Sequence, residues 1–274
     1  MQKLLNIEWL KMKNYRAFIV ISIFFIVGVF ATNYIIYSVN KHIISQANTG
    51  GLVSSWSPYD FDRVWQTTSY ATGFILILPA LLLIINITNE FTYRTNRQNI
   101  IDGMSRSEFI NVKLFLALIV ALASTLLVIL TALGFGFASG TSFGLDSFSH
   151  VGYFFVKALT YNLIATFISV WIRRTGFAIG LYFIYMGAEN IVSQLLDVLS
   201  LKIRSDNGLD LGSMGDYLPM NASDGLLTFP DNPIKHLAKS ALPTDYTWLV
   251  MCFAAFYLVL FFLLSKQRIL TTDL

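Results

Sequence analysis

The feature that most constrains this chain is a series of six apolar runs, each close to the length of a bilayer-crossing helix. A hydrocarbon core about 30 Å thick takes about 20 apolar residues in helical conformation. The runs cover residues 17–39, 67–88, 114–138, 151–172, 176–196 and 246–264. Open strands would leave backbone groups unpaired in lipid, and a barrel would show short alternating segments. The runs therefore predict an all-α integral membrane protein with six transmembrane helices.

Charge gives this arrangement an orientation. Charged residues are only 13% of the chain, against about 25% in soluble domains, and they fall in short groups between the apolar runs. That pattern lacks the concentrated basic patch of a nucleic-acid-binding protein. Because positive charge is retained on the cytoplasmic side, the side richer in Lys and Arg is predicted to be cytoplasmic. That side holds Lys3, Lys11, Lys13, Arg16, Arg94, Arg97, Arg106, Lys113, Arg173, Arg174, Lys266 and Arg268, and the other holds Lys41, Arg63, Lys202, Arg204, Lys235 and Lys239.

Both termini are on the richer side, so we expect a multi-pass protein of the cell membrane with both ends in the cytoplasm. Residues 1–16 are predicted to form a helix lying on the membrane surface, because Leu5, Trp9 and Met12 share one face at helical spacing. The first apolar run is too long for a signal peptide, and no cleavage site of small residues follows it. We therefore expect this segment to be retained.

The segment 200–245 is the longest connection on the outer side and is rich in Gly, Asp, Asn and Pro. Its aspartates do not have the spacing of a calcium loop, so we interpret them as solvated surface. They are Asp206, Asp210, Asp216, Asp224 and Asp231. The single Cys and the three scattered His residues give no metal-site pattern, and no metal or catalytic residue is predicted.

Two features concern the spans themselves. Pro79 is expected to kink the second span. Small residues spaced four apart let membrane helices approach closely, and they occur at Gly136 with Gly140 and at Gly176 with Gly180, where Gly187 continues the face.

Only two charged residues fall well inside the spans, namely Lys157 in the fourth and Glu189 in the fifth. Each is predicted to lie about 10 Å below the outer end of its span, at a rise of 1.5 Å per residue. A short turn joins the two spans, so they are expected to pack antiparallel. We therefore predict an intramembrane ion pair between Lys157 and Glu189. The alternatives are that Lys157 snorkels to the headgroups and that Glu189 begins an outer re-entrant helix and meets water.

The first cytoplasmic loop, residues 89–113, has the pattern of a short helix, a turn and a second helix start. Asn89 is placed to cap the short helix, with Glu90 at its positive end and Arg94 one turn on. Asp102-Gly103 is a stop signal, since Gly readily takes the left-handed conformation. Ser105-Arg-Ser-Glu108 is a capping box that would open the third span.

Several of these loop residues carry a family resemblance: Glu90, Thr95, Arg97, Gly103, the Ser105-Arg106 pair and Lys113. They resemble the first cytoplasmic loop of type 2 ATP-binding-cassette (ABC-2) permeases, where an acidic residue ends the second span and a Thr-x-Arg element, a Ser-Arg pair and a Lys follow. The layout of the whole chain is similar too, with a surface helix, six spans and a long outer segment. Many relatives have Pro just before the Ser-Arg pair, where this chain has Gly103-Met104.

The resemblance implies a permease subunit of an ATP-driven exporter that contains no cofactor of its own. ATP and Mg²⁺ would bind a separate ABC ATPase subunit, which agrees with the absence of a G-x-x-x-x-G-K-[ST] loop from this chain. A second permease chain, identical or different, would complete the pathway. Residues 94–101 would form the coupling helix that contacts the ATPase, and the cargo would be amphipathic, lipid-like or peptide.

Three other functions stay open. A secondary transporter or channel would place ionisable residues near the midplane and show internal repeats, and no repeat is visible. A membrane-embedded enzyme is disfavoured, because H-E-x-x-H and G-x-S-x-G are absent and no His lies in a span. A structural or sensory membrane component has no sequence feature against it.

Overall fold

The computed structural model describes residues 2–46, 57–231 and 246–271. Helices make up most of these residues, and none of them is in a strand. The helices are α1 (Gln2–Lys13), α2 (Arg16–Gln46), α3 (Val64–Gly73), α4 (Ile77–Thr92), α5 (Thr95–Ile101), α6 (Arg106–Ala138), α7 (Ser149–Ile172), α8 (Thr175–Asn207), a 3-10 turn (Met214–Tyr217), α9 (Pro219–Asp224) and α10 (Thr247–Thr271).

The core of the bundle lies around α7, which packs against α3, α4, α6, α8, α9 and α10. Small side chains allow this central position, since Ala158 and Ala165 are fully buried between larger neighbours such as Phe154 and Ile164. Asn162 is also buried here, and its amide donates to the Ala117 carbonyl of α6 at 3.0 Å. Most of the buried apolar residues thus belong to one core, which joins α4, α6, α7 and α10.

The number of transmembrane helices is smaller than the sequence predicted. Four described helices are long and apolar enough to cross a membrane, namely α2, α6, α7 and α10, and the bent pair α3–α4 makes a fifth if it counts as one span. The predicted span at 176–196 lies in α8, which is long but does not reach the same apolarity. Glu189, Asn190 and Gln194 interrupt its apolar run. Six spans are therefore not confirmed, whereas an all-α protein with several membrane-length helices is.

The predicted kink at Pro79 is confirmed. The axes of α3 and α4 differ by 46° across the break at residues 74–76. Proline has no N–H to offer the carbonyl of residue 75, and its ring crowds that carbonyl. The helix consequently ends at Gly73 and restarts at Ile77, two residues before the proline.

The bundle has two ends with different contents. The α5 end holds α1, the last turn of α4, α5, the first turns of α6 and α8, and the last turns of α7 and α10. The α9 end holds α9, the start of α3 and the loop 139–148, where Trp65 Nε1 donates to the Gly144 carbonyl at 3.0 Å. There Gly136 lies against the ring of Phe61, and a Cβ at Gly136 would come within 2.7 Å of that ring.

Candidate functional sites at the two ends of the bundle

A buried cluster of four charges lies at the α5 end and joins three helices. It consists of Glu8 and Lys11 from α1, Glu90 from α4 and Lys113 from α6, and we call it the charge cluster. Lys113 Nζ lies 2.5 Å from Glu8 Oε2 and 2.8 Å from Glu90 Oε1. Lys11 Nζ lies 3.0 Å from Glu8 Oε1 and 2.9 Å from Glu90 Oε1. Each cation therefore contacts both carboxylates, and the charges cancel.

The electrostatics of the cluster favour the ionised forms on α1. Burial by itself raises the pKa of Glu8, but Lys113 and then Lys11 outweigh it, so the pKa of this carboxyl is lowered. Burial lowers the pKa of Lys11, but Glu90 and Glu8 outweigh it, so the pKa of this amine is raised. Lys113 is 1% exposed, so its pairing is close to obligatory. The cluster thus ties α1 to the bundle.

Glu90 therefore has a different position from the one predicted. It does not open a helix in the loop, because α4 continues through Asn89 and Glu90 to Thr92. Nor does Glu90 bridge to Arg94 in the manner of i,i+4 helix neighbours, since Arg94 has a left-handed backbone with φ 57° and precedes α5. A cap signal at Asn89 is local, and it is overridden here by the packing of α4.

The short helix α5 projects from the α5 end between α4 and α6. Arg94 and Arg97 are exposed, and so are two apolar side chains, Tyr93 at 73% and Ile101 at 79%. We call these four residues the α5 surface. Two contacts at its start hold the helix against the bundle. Asn96 is buried, and the Thr95 hydroxyl donates to the Glu90 carbonyl at 3.4 Å. Two cations beside two exposed apolar groups are typical of a protein-docking surface.

The predicted turn and capping box after α5 are confirmed. α5 ends at Ile101, and Gly103 takes φ 100°. Ser105 Oγ accepts the Glu108 backbone N–H at 3.2 Å, and the Glu108 carboxylate accepts the Ser105 N–H at 2.9 Å. Arg106, which the sequence placed beside Ser105 in the coupling loop, is the first residue of α6.

Positive charge is concentrated beside this loop. Burial, and after it the nearby Arg268 and Arg97, lower the pKa of the Arg173 guanidinium. Arg173 lies over the ring of Phe91 with its guanidinium carbon 5.2 Å from the ring centre. Cations from α5, from the α7–α8 turn and from α10 thus share one region.

The two intramembrane charges predicted as a pair have separate partners. Lys157 Nζ lies 3.1 Å from Asp224 Oδ1, at the last residue of α9, and Tyr161 donates to the same carboxylate at 3.0 Å. Glu189 instead accepts the backbone N–H groups of Met220, at 2.5 Å, and of Asn221, at 2.9 Å. The predicted Lys157–Glu189 ion pair is therefore wrong. The short helix α9 supplies both partners. Its last residue, Asp224, pairs with Lys157, and the backbone N–H groups at its N-terminus donate to Glu189.

The outward face of α8 is largely apolar, with Phe177, Ile184 and Leu195 exposed, but it also carries two amide side chains. Asn190 and Gln194 are both exposed and hydrogen-bond each other at 2.7 Å. A Cβ added at Gly176, Gly180 or Gly187 would meet no atom of the described residues within 4 Å. The small-residue contacts predicted for these glycines are thus not made by the described part of this chain.

Sequence reasoning missed Glu8, Lys11 and Asp224 as members of buried clusters. Glu8 is the only acidic residue in 1–16, and its i,i+3 spacing from Lys11 is a signal that could have found this pair. Asp224 was interpreted as solvated, and no local pattern distinguishes it from its neighbours Asp216 and Asp231.

Comparison with known proteins gives no further assignment: no family model matches the chain, and no curated protein matches it.

Proposed function

We propose that this chain is the transmembrane permease subunit of an ATP-driven exporter and that it works with a separate ATPase subunit. The cargo is amphipathic, lipid-like or peptide, and a second permease chain completes the pathway. In this proposal the α5 end is cytoplasmic, and the partner ATPase binds ATP and Mg²⁺.

The α5 surface is the observation that supports this proposal most. Arg97 and Ile101 lie on α5, and Tyr93 and Arg94 directly precede it. The buried Asn96 and the Thr95 hydrogen bond hold the start of this helix, and the Gly103 turn with the capping box defines its end. A rigid exposed helix between two membrane helices can transmit force from a soluble partner to the membrane domain. The resemblance of Glu90, Thr95, Arg97, Gly103, Ser105 and Arg106 to ABC-2 permeases names that partner as the ATPase.

A second chain is supported by α8. Exposed amides such as Asn190 and Gln194 are costly against lipid, and in membrane proteins such groups face other helices or water. The open space beside Gly176, Gly180 and Gly187 would let another helix approach closely. A second permease chain covering this face would account for both observations.

The test is assembly with an ATPase and its dependence on the α5 surface. We expect the chain purified from its native membrane to carry a cassette ATPase whose hydrolysis is sensitive to vanadate. Arg97→Glu and Ile101→Asp should each release the ATPase, because they place negative charge on the docking surface, while Ser142→Glu at the opposite end should not. An unchanged ATPase ratio in both α5 variants, or no ATPase in the unaltered complex, would refute the proposal.

An ion-coupled secondary transporter is the second candidate, and the Lys157–Asp224 pair is the observation in its favour. The two functions separate in proteoliposomes that contain this chain without any ATPase. Uptake driven by an ion gradient alone would support the transporter and contradict the exporter.

A further inference from the structure

A continuous groove runs along the bundle from the α5 end toward the middle of the membrane-length helices. Its deeper part, about 340 Å³, lies between α2 and α6 over the face of α4. Its walls there are almost entirely apolar, with Phe25, Pro79 and Leu127 among them. Its outer part, about 180 Å³, lies between α1, α2 and α4. Phe18, Ile21 and Leu82 line both parts, so the two parts adjoin.

The two parts of the groove differ in chemistry. The polar residues of the outer part are Lys11, Asn86, Asn89, Thr95, the phenols Tyr15 and Tyr93, and one acid, Glu90, which is paired with Lys11 and Lys113. Lys11 is one-third exposed and contacts Glu8 and Glu90, which engage two of the three N–H donors of an ammonium group. Amides, a phenol and an ammonium group are donors suited to phosphate and ester oxygens. Polarity therefore falls along the groove, as it does from the headgroup to the acyl chain of a lipid.

The length of the groove matches one leaflet. From Asn89 to Pro79, the α4 wall is ten residues long, or about 15 Å at the helical rise of 1.5 Å per residue. Half of a hydrocarbon core about 30 Å thick is also about 15 Å. The rim is open to the side, because Ile26, Leu126 and Leu130 are each about half exposed. A molecule could enter from the bilayer without leaving it.

We propose that this groove is a binding site for one phospholipid of the leaflet at the α5 end. Its phosphate lies near Lys11 and the two asparagines, and one acyl chain fills the apolar part beside Pro79. The site depends only on the chain lying in a bilayer, so it stands or falls independently of the proposed exporter function.

A lipid fits the groove better than a helix from a second copy does. An approaching helix would present its own apolar side chains to the inner part but would have to bury Lys11, Asn86 and Asn89 at the other end. A phospholipid satisfies these donors with phosphate and ester oxygens. The groove is also small, because the volume of its two parts together is about that of one small-molecule site.

The test uses the unaltered chain in nanodiscs of phosphatidylethanolamine and phosphatidylglycerol that include a photoactivatable phosphatidylethanolamine with a diazirine in its acyl chain. We expect mass spectrometry to map cross-links to Phe25 and Leu127 in the groove. When the sample is exchanged into detergent before irradiation, these cross-links should still form, while labelling of the outward Phe24 and Leu122 should be lost. Even labelling of groove and outward faces, or complete loss on exchange, would overturn the site.

A matched pair of variants checks the position. Ala123→Trp fills the groove from α6, whereas Leu122→Trp adds the same ring one residue away on the outward face. Native mass spectrometry should show retained phospholipid reduced several-fold in the first variant and unchanged in the second. Equal retention in the two variants would contradict the proposal. Disulfide-linked dimers of an Ala123→Cys variant in a Cys252→Ser background would also contradict it, because a second copy would then occupy the groove.

Discussion

Lys113 is the most deeply buried residue of the charge cluster. It lies seven residues into α6, is almost completely buried, and contacts one carboxylate from α1 and one from α4. A lysine in such a position is retained only because two acids meet it, since the desolvation of an unpaired buried ion costs several kcal/mol. The charge cluster therefore links three helices that are far apart along the chain.

The cluster gives the protein a defined pH dependence. Because the folded pKa of Glu8 is lowered, its stabilising contribution is present above the unfolded value of about 4.3 and is lost as the pH falls through the folded value. Because the pKa of Lys11 is raised, its contribution is present below about 10.4 and is lost as the pH rises through the folded value. We expect a plateau of stability between these limits.

Glu8→Gln tests the acid side of this plateau. In detergent, thermal unfolding followed by tryptophan fluorescence should show the variant melting below the unaltered protein at pH 7. The gap should narrow as the pH falls below about 4.3, because the unaltered protein then loses the same contribution. A gap that stays constant from pH 7 to pH 3 would show that Glu8 does not stabilise the fold through its charge.

The partner of Lys157 shows what a sequence leaves open at this scale. The depth of Lys157 was readable from the apolar run around it, and so was its need for a counter-ion. Its choice of Asp224 depends on a six-residue helix that returns toward the bundle, and no periodic pattern in 200–245 marks that return. Glu189 likewise finds backbone N–H groups, which are invisible in a list of side chains.

Charge exchange distinguishes the two pairings. Lys157→Asp and Asp224→Lys should each lower the yield of folded protein, by an effect below about 3 kcal/mol because Asp224 is partly exposed. The double exchange at these positions should restore much of the yield. Exchange of Lys157 with Glu189 should not restore the yield, since it removes the acceptor of the Met220 and Asn221 N–H groups. Size-exclusion chromatography in detergent measures the folded fraction, and rescue by the second exchange alone would reverse the assignment.

Among the elements, the loop 89–113 shows where local signals succeed and where they fail. The capping box at Ser105 and the stop at Gly103 were predictable because their hydrogen bonds and backbone angles involve only neighbouring residues. The cap at Asn89 failed because the preceding apolar residues of α4 pack into the core and carry the helix on to Thr92. Tertiary packing overrides a cap worth about 1 kcal/mol.

Gly103 sets the position of α5 through its backbone alone. A Cβ there would meet nothing within 4 Å, but φ is 100°, so Gly103→Ala should strain the turn by about 1–2 kcal/mol. Gly134→Ala is the control, since that glycine also has open space around it but lies within the helix α6. Hydrogen exchange of residues 95–105 should accelerate in the first variant only. Equal exchange in both would show that the turn tolerates a side chain.

At the scale of the molecule, composition predicted the class and the helical regions, but not the number of spans. The predicted runs lie within α2, α3–α4, α6, α7 and α8, and the last run lies in α10 except for its first residue, Tyr246. The outcome for α8 differs because Glu189, Asn190 and Gln194 interrupt its apolar run. The outer residues of the predicted segment 200–245 are described only as far as residue 231, and the rest of that prediction lies outside the described residues.

Orientation is tested with cysteine reporters in a Cys252→Ser background, because Cys252 is exposed. We expect Ser142→Cys, at the α9 end, to react with a membrane-impermeant maleimide on intact cells. Gln98→Cys, on α5, should react only after permeabilisation, since the positive residues around it are retained on the cytoplasmic side. Labelling of Gln98→Cys on intact cells would invert the orientation.

The contrast between α6 and the α3–α4 pair has a mechanical consequence. α6 runs for 33 residues without a break, about 50 Å, and carries Lys113 near one end and Gly136 against Phe61 near the other. The neighbouring α3–α4 pair is bent by 46° at the break between its two helices. Because α6 is unbroken, a displacement at the α5 end would move α6 as a rigid body and so reach the loop 139–148. The same displacement of α4 would change the angle at the break instead of moving α3. At the α9 end, α6 would therefore shift relative to α3, and the contacts between these two helices would change.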